Sequence, residues 1–324
     1  MKLRTEIDIT PLSEQIEYSN RIFTIGSCFA QSIGEKLERA KFRTTINPTG
    51  TLFNPLSICN TIERLCEHRT INSEELREGD LGWYHYDFHS SLNGATPEET
   101  TTKINTAIEQ GGAALKAAEW VIITLGTAWI YEITDSRQVV ANCHKEPARN
   151  FTRRRASLNE IVERLNDTIE RYLSDKNIIL TLSPIRHIAD GLSENNLSKS
   201  TLRLAIEEVV TRNPQHRFYL PAYEILIDDL RDYRFYSDDM VHPSDVAVTY
   251  IWDKFCEAAL SPHTKELLTK VMKIVKAAEH RPTNPNSEAH KTLCRAQLRA
   301  IETLREVEFS NESEYFNASL KINL

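Results

Sequence analysis

Short apolar runs alternate along the chain with stretches whose apolar residues recur at three- and four-residue spacing. The run Ile22-Phe23-Thr24-Ile25 is β-branched and aromatic and reads as a short buried strand. After Cys28, Phe29, Ile33 and Leu37 share one helical face, with Gln31, Glu35 and Lys36 on the other. "FRTTINPTG" is a second short strand ending in Pro48 and Gly50. Leu56, Ile58, Ile62 and Leu65 predict a helix over residues 55 to 66, and "WYHYDFHSSL" alternates, with Trp83, His85, Asp87 and His89 on one face. A helix over about 99 to 117 leads into "WVIITLGTAW", a buried strand ending at Gly126. "WIYEITDSRQVVANCH" reads as a hairpin turning near Asp135 and Ser136. Ser157 and Glu160 have the spacing of a capping box ahead of a helical stripe. "NIILTLSPI" is a strand cut at Pro184, followed by a helix over 196 to 211. "HRFYLPAYEIL" gives a last strand and turn, and a helix over 243 to 260 has Pro243 in its first turn.

Strands alternating with helices imply an α/β domain over residues 1–260, built on a parallel, doubly wound sheet. Beyond it, residues 261–324 change character. Leu267, Val271, Ile274, Val275 and Ala278 form one apolar stripe, "RPTNPNS" interrupts it, and Leu293, Leu298, Ile301 and Leu304 suggest a second helix. A helical hairpin on the main domain, or a contact between two copies in a homodimer, is expected there. The last dozen residues are polar and expected to fray.

Composition narrows the function classes. The 324-residue chain carries a formal net charge of −7, which argues against a nucleic-acid binder that works by neutralising phosphates. Its one basic cluster, Arg153-Arg154-Arg155, is expected to be solvated surface. The opening "MKLRTEIDITPLSEQ" has no apolar core of a signal peptide, and no apolar run is long enough to span a bilayer. Six scattered cysteines without a CxxC pair suit a reducing compartment. The expectation is a cytoplasmic protein acting on a small molecule, with no nucleic-acid or membrane partner, no cofactor and no metal.

Gly26, Gly50 and Gly126 fall at the carboxyl ends of expected strands, where ligands of doubly wound sheets bind. In "FTIGSCFAQSIGEKL", Gly26 permits a tight strand-to-helix turn. Ser27 then stands at the helix N-terminus, a position that suits both an N-cap and an attacking oxygen. A serine nucleophile needs an imidazole and a group that orients it. "SDDMVHPSD" offers Asp239 three residues before His242, with Pro243 holding His242 out of the helical conformation.

Ser27, Gly50 and Asp239-x-x-His242, in that order, resemble the SGNH (GDSL-like) hydrolase arrangement. More narrowly, "IGSCFA", "NPTGTLFNPLSI", "TLGTAWIY", "NCHKEP", "LSPIRH" and "LRDYRFYSDDMVHPS" resemble the GSCFA-domain family, a branch of that superfamily. The likeness runs from about residue 20 to 260. It implies a flavodoxin-like, three-layer fold and a serine esterase or acyl-transfer site, with Ser27 as nucleophile, His242 as base and Asp239 as its orienter. The backbone N–H groups of Ser27 and Gly50 would stabilise the oxyanion. Where the wider superfamily has a G-x-N-D asparagine as a third donor, this chain has "GTAW", with Ala128. Asn142 is the replacement candidate and equally a turn residue, and Thr127 is a weaker candidate.

Several alternatives stand beside this scheme. Cys28 at a helix N-terminus is a rival nucleophile, although a cysteine there also serves as a small buried hydrophobe. Cys143 and His144 lack the local pairing of a structural zinc site. His89 is a candidate lining residue, and Arg186 fits either a substrate carboxylate or a structural salt bridge. The expected function is hydrolysis of a small acyl ester, such as an acylated sugar. Acyl transfer and a non-catalytic binding module on the same fold are the alternatives.

Overall fold

The computed structural model describes residues 5–321. In chain order the elements begin with β1 (Arg21–Gly26), α1 (Cys28–Arg39), β2 (Arg43–Ile46), α2 (Pro55–Cys66), β3 (Arg77–Gly79), β4 (Gly82–Tyr84), α3 (Pro97–Ala117) and β5 (Trp120–Leu125). Next come β6 (Trp129–Ile133), β7 (Val139–Val140), β8 (Phe151–Arg155), α4 (Leu158–Tyr172), β9 (Asn177–Leu182), α5 (Leu192–Arg212) and β10 (Arg217–Leu220). The chain closes with the short α6 (Ala222–Glu224), α7 (Asp245–Ala259), α8 (Pro262–Glu279), α9 (Glu288–Thr303) and α10 (Ser310–Lys321).

Five strands form one sheet in the order β2-β1-β5-β9-β10, and every neighbouring pair is parallel. Counted along the chain the order is 2-1-3-4-5, so the winding reverses between β1 and β5. That reversal opens a crevice at the strand carboxyl ends. Pleating sends Ile22, Trp120, Ile122 and Ile179 to one face, where Phe29 and Leu37 of α1 and Ile251 and Phe255 of α7 cover them. Phe23, Ile25, Val121 and Ile123 point the other way, under Ile62 of α2, Ile108 of α3, Leu165 of α4 and Ile206 of α5. Burial on both faces is why these strands read as unbroken apolar runs rather than as alternating ones.

Four expectations change in the fold. The helix expected over 243 to 260 is α7, capped by Ser244, so Pro243 precedes it rather than standing in its first turn. "WYHYDFHSSL" is strand only as far as Tyr84, because the His85 ring accepts the Asp87 N–H at 3.1 Å and turns the chain. Arg153-Arg154-Arg155 is part of β8, which pairs antiparallel with β6, and only Arg155 of the three is exposed. Arg154 there bridges Glu132 and Glu160, and Arg153 lies 4.2 Å from the Trp129 ring centre. Finally, residues 310–321 form α10, anchored by wholly buried Phe316, so the fraying expected of the last dozen residues does not occur as far as Lys321; residues 322–324 lie outside the described residues. A polar sequence with one well-placed aromatic is enough to dock a helix end. Leu267, Val271, Ile274 and Cys294 of α8 and α9 join the same apolar cluster as α1 and α7, so the C-terminal helices share the core of the sheet.

The capping box forms as its spacing predicts. Ser157 Oγ accepts the Glu160 N–H at 3.2 Å and Glu160 accepts the Ser157 N–H at 3.3 Å. Ser157→Ala is expected to lower stability by about 1 kcal/mol, measurable as a shifted urea midpoint at unchanged slope. An unchanged midpoint would show that the Arg154–Glu160 pair alone holds this helix start.

Candidate functional site

β1 reaches its carboxyl end at Gly26, whose φ is +137°. A Cβ there would stand 2.1 Å from the Thr124 carbonyl oxygen, so only glycine lets β1 and β5 close up at this level. The Gly26 N–H donates to Asn47 Oδ1 at 2.9 Å, and its carbonyl accepts the Leu52 N–H at 2.8 Å. These two bonds bring the loop that follows β2 against the end of β1. Gly50 lies in that loop with φ +83°, where a Cβ would meet the His89 side chain at 2.3 Å.

Ser27 follows as the N-cap of α1. Its Oγ accepts the Phe29 N–H at 3.3 Å, its own N–H donates to the Thr124 carbonyl at 3.2 Å, and it is 1 % exposed. The Gly50 N–H donates to the Asn47 carbonyl at 2.7 Å. Both backbone donors expected to face an oxyanion are thus bonded to protein carbonyls. Cys28 turns toward the apolar cluster beneath α1, and burial pushes its thiol up. A thiolate is disfavoured there despite the helix N-terminus.

Asp239 and His242 meet in the loop before α7. Asp239 Oδ1 accepts the N–H groups of Val241 and His242 at 2.9 Å each, and Oδ2 lies 2.6 Å from His242 Nδ1. The two backbone donors, then the imidazole, hold the Asp239 carboxyl down at about 2. An ionised carboxylate only accepts, so the proton of the neutral ring belongs on Nδ1 and the lone pair on Nε2. Among the described residues Nε2 has no hydrogen-bond partner. Met240 takes the left-handed conformation, φ +56°, that lets the loop fold back to make this contact.

Over the strand ends lies a cavity of about 700 Å³ that takes in Thr127, Asn142, His89, Arg186 and Val241. Ser27, Gly50, Asp239 and His242 are not among its lining residues, although Thr51 and Val241 bring their loops to its wall. His89 Nδ1 accepts the Ser91 N–H at 3.2 Å, so the neutral ring carries its proton on Nε2. Burial favours that neutral form. Asn142 Oδ1 accepts the His144 N–H at 2.9 Å, and its amide nitrogen makes no hydrogen bond among the described residues. Thr127 Oγ1 is already engaged by Ser198 Oγ and the Trp129 N–H, both at 3.1 Å. Asn142 and His89 therefore keep a donor to spare, whereas the Thr127 hydroxyl is already bonded on two sides.

A model of the GSCFA family matches residues 21–255, and a model of the GSCFA domain protein, C-terminal domain, matches residues 271–322. The chain belongs to the GSCFA family. No curated protein matches it.

In this GSCFA chain three residues that motif reading left without a role hold the site together. Asn195, Ser198 and Lys199 lie on one face at the start of α5, at positions i, i+3 and i+4. Asn195 Oδ1 accepts the His187 N–H at 2.8 Å, and Ser198 Oγ accepts the Ala128 N–H at 2.8 Å. Lys199 Nζ donates to the Gly126 and Ser183 carbonyls at 2.7 Å each. One helix turn thus ties the loop after β5 to the loop after β9. The signal was present in "ENNLSKS", as polar side chains at helical spacing on a buried face.

His144, His85 and Asp87 are held within the fold. His144 stacks on Tyr84 with centroids 4.2 Å apart, and its Nε2 lies 3.1 Å from the carbonyls of His85 and Phe88. Burial lowers its pKa to about 4. His85 is buried, and Asp87 pairs with Arg64 at 2.8 Å. Among the described residues no three His, Cys, Asp or Glu side chains converge as metal ligands. No helix among them is long and apolar enough to cross a membrane.

Proposed function

We propose that this GSCFA protein is a serine hydrolase of the SGNH type acting on small acyl esters such as acylated sugars. Transfer of the acyl group to another acceptor is the close variant of the same chemistry. The observation that carries this reading is the Asp239–His242 contact of 2.6 Å. A carboxylate fixed by two backbone N–H groups orients the ring and leaves Nε2 free to take a proton. In the proposed cycle Ser27 Oγ attacks the ester carbonyl carbon and its proton passes to His242 Nε2. Collapse of the tetrahedral intermediate breaks the C–O bond, and His242 returns that proton to the leaving alkoxide. Water, or an acceptor alcohol, then attacks the acyl-Ser27 carbonyl, gives its proton to Nε2, and Ser27 recovers it as the acyl group departs. The Asn142 amide and the His89 Nε2–H are proposed to face the developing oxyanion, where removing one donor typically costs about 2.7–4 kcal/mol.

A second reading, a ligand-binding module without catalysis, is favoured by one observation. Ser27 is 1 % exposed, with its Oγ and N–H both engaged. Labelling with a fluorophosphonate followed by peptide mapping separates the two. The hydrolase predicts a modified Ser27 peptide that disappears in Ser27→Ala and in His242→Ala. Ligand binding with an unlabelled Ser27 would instead establish the module. Activity that survives Ser27→Ala and is lost on alkylation would move the nucleophile to Cys28.

A further inference from the structure

Arg186 stands on the walls of two adjoining cavities, the one of about 700 Å³ over the strand ends and a smaller one lined by Tyr233 and Tyr236. It follows Pro184 and Ile185 at the carboxyl end of β9 and is half-buried. Among the described residues its guanidinium forms no ion pair and no side-chain hydrogen bond; what holds it is aromatic. Its carbon lies 4.0 Å from the Tyr236 ring centre and 5.4 Å from that of Tyr233. Stacking of this kind fixes the plane of the fork but leaves its N–H edge open.

The described carboxylates on the walls of the two cavities are engaged elsewhere. Asp232, which shares with Arg186 the wall of an adjoining cavity of about 220 Å³, accepts the backbone N–H and the guanidinium of Arg234 at 2.9 Å each. Glu146, on the wall of the larger cavity, accepts the Tyr84 hydroxyl and the Asn150 amide. A partly desolvated cation without a counter-charge is costly unless an outside partner supplies one.

The larger cavity also carries the two donors proposed above for the oxyanion. These are the His89 Nε2–H and the Asn142 amide nitrogen; the Trp129 indole N–H is buried with no hydrogen-bond partner among the described residues, and the Thr51 and Tyr131 hydroxyls on the same wall can donate or accept. A cationic fork with amide and imidazole donors on the same wall favours a ligand group rich in acceptors. The Arg186 N–H also donates to the Val241 carbonyl at 3.1 Å, which ties this residue to the loop of His242.

We propose that Arg186 binds an anionic group of the ligand, a carboxylate or a phosphate, and so makes this cavity selective for anionic substrates. The inference deepens the ester-hydrolase reading by giving the substrate its charge. It rests on that reading only for the ester, and the test separates the two.

In the binding arm, full-length Ser27→Ala protein is titrated calorimetrically with benzoate, with inorganic phosphate and with neutral methyl benzoate. An anion is expected to bind more tightly than methyl benzoate, with a loss of roughly 10–100-fold in Arg186→Gln and partial retention in Arg186→Lys. Preference for benzoate over phosphate identifies a carboxylate ligand, and the reverse order a phosphate. In the kinetic arm, wild type and Arg186→Gln are compared on 4-acetoxybenzoate and methyl 4-acetoxybenzoate. The ratio of kcat/KM for the charged over the neutral ester is expected to fall roughly 10–100-fold in the variant. Should neither ester turn over, the hydrolase reading fails and the binding arm still decides Arg186. No preference of the parent protein for anions, or equal anion binding in a folded Arg186→Gln, overturns the proposal whatever happens to hydrolysis. An unchanged ester ratio in the variant overturns it even where hydrolysis is robust.

Discussion

Replacing either Ser27 or His242 by alanine is expected to lower kcat/KM on a short-chain aryl ester by about 10⁴-fold or more. The two losses should not add. Once the proton acceptor is gone the hydroxyl is no longer activated, so the double variant is expected to match the worse single one. Asp239→Asn should lose a large share of the same activity across the mildly acidic and neutral range. Its carboxyl is held at about 2 by the Val241 and His242 donors, so the wild-type protein keeps that charge far below neutrality. Protonation of Asp239 therefore cannot produce a fall in rate between neutrality and mild acid. Steady-state rates for the three single variants and the Ser27–His242 pair check this. Additive losses in the pair, or full activity in Ser27→Ala, would remove the proposed triad.

Lys199 sets the second large effect, this time on stability. Its ammonium is wholly buried, and desolvation lowers its pKa from 10.5 to about 7. Above about pH 7 the folded protein sheds this proton, whereas the unfolded chain keeps it up to about 10.5. The unfolded state then binds more protons, so stability rises with pH across this window by up to about 1.4 kcal/mol per unit. Lys199→Met removes that slope and leaves the Gly126 and Ser183 carbonyls without their donor, at about 1–3 kcal/mol each. At pH 7 the lost hydrogen bonds are partly offset by relief of the buried charge. The gap in unfolding free energy between wild type and variant is therefore expected to be smallest near neutrality and to widen toward pH 10. Urea titrations at a series of pH values measure it, and a constant gap would show that the folded protein keeps the amine charged.

How much of this was visible in the chain depends on the distance over which each feature is decided. The helix over 55 to 66 appears as Pro55–Cys66, and the strand ending at Gly126 appears as Trp120–Leu125. The hairpin expected near Asp135 pairs Tyr131 with Val140. Each of these follows from a repeat of side chains along one element. β8 escaped notice because its Arg153-Arg154-Arg155 run is polar by composition and is covered by aromatic and acidic partners from other segments. α10 escaped because its buried side is Phe316 flanked by the polar Glu312 and Ser319, which form no apolar stripe.

The site divides along the same line. Asp239 and His242 are three residues apart, so a single turn closed by Pro243 is enough to join them, and the sequence alone predicted the pair. Ser27 as a helix cap was equally local. The commitments of the Ser27 and Gly50 N–H groups, the spare donors of Asn142 and His89, and the clamp from Lys199 were not. Those depend on which loops the 2-1-3-4-5 order lays side by side at the β1–β5 crevice. Arg186 shows the difference most plainly. Its sequence fitted a salt bridge and a ligand contact equally, and only the packing of Tyr233 and Tyr236 around it, with Asp232 and Glu146 drawn elsewhere, left it without a salt bridge among the described residues. Repeats within one element are set by backbone geometry and can be read from spacing. Which groups remain unpaired is set by the packing of distant segments, and that requires the folded chain.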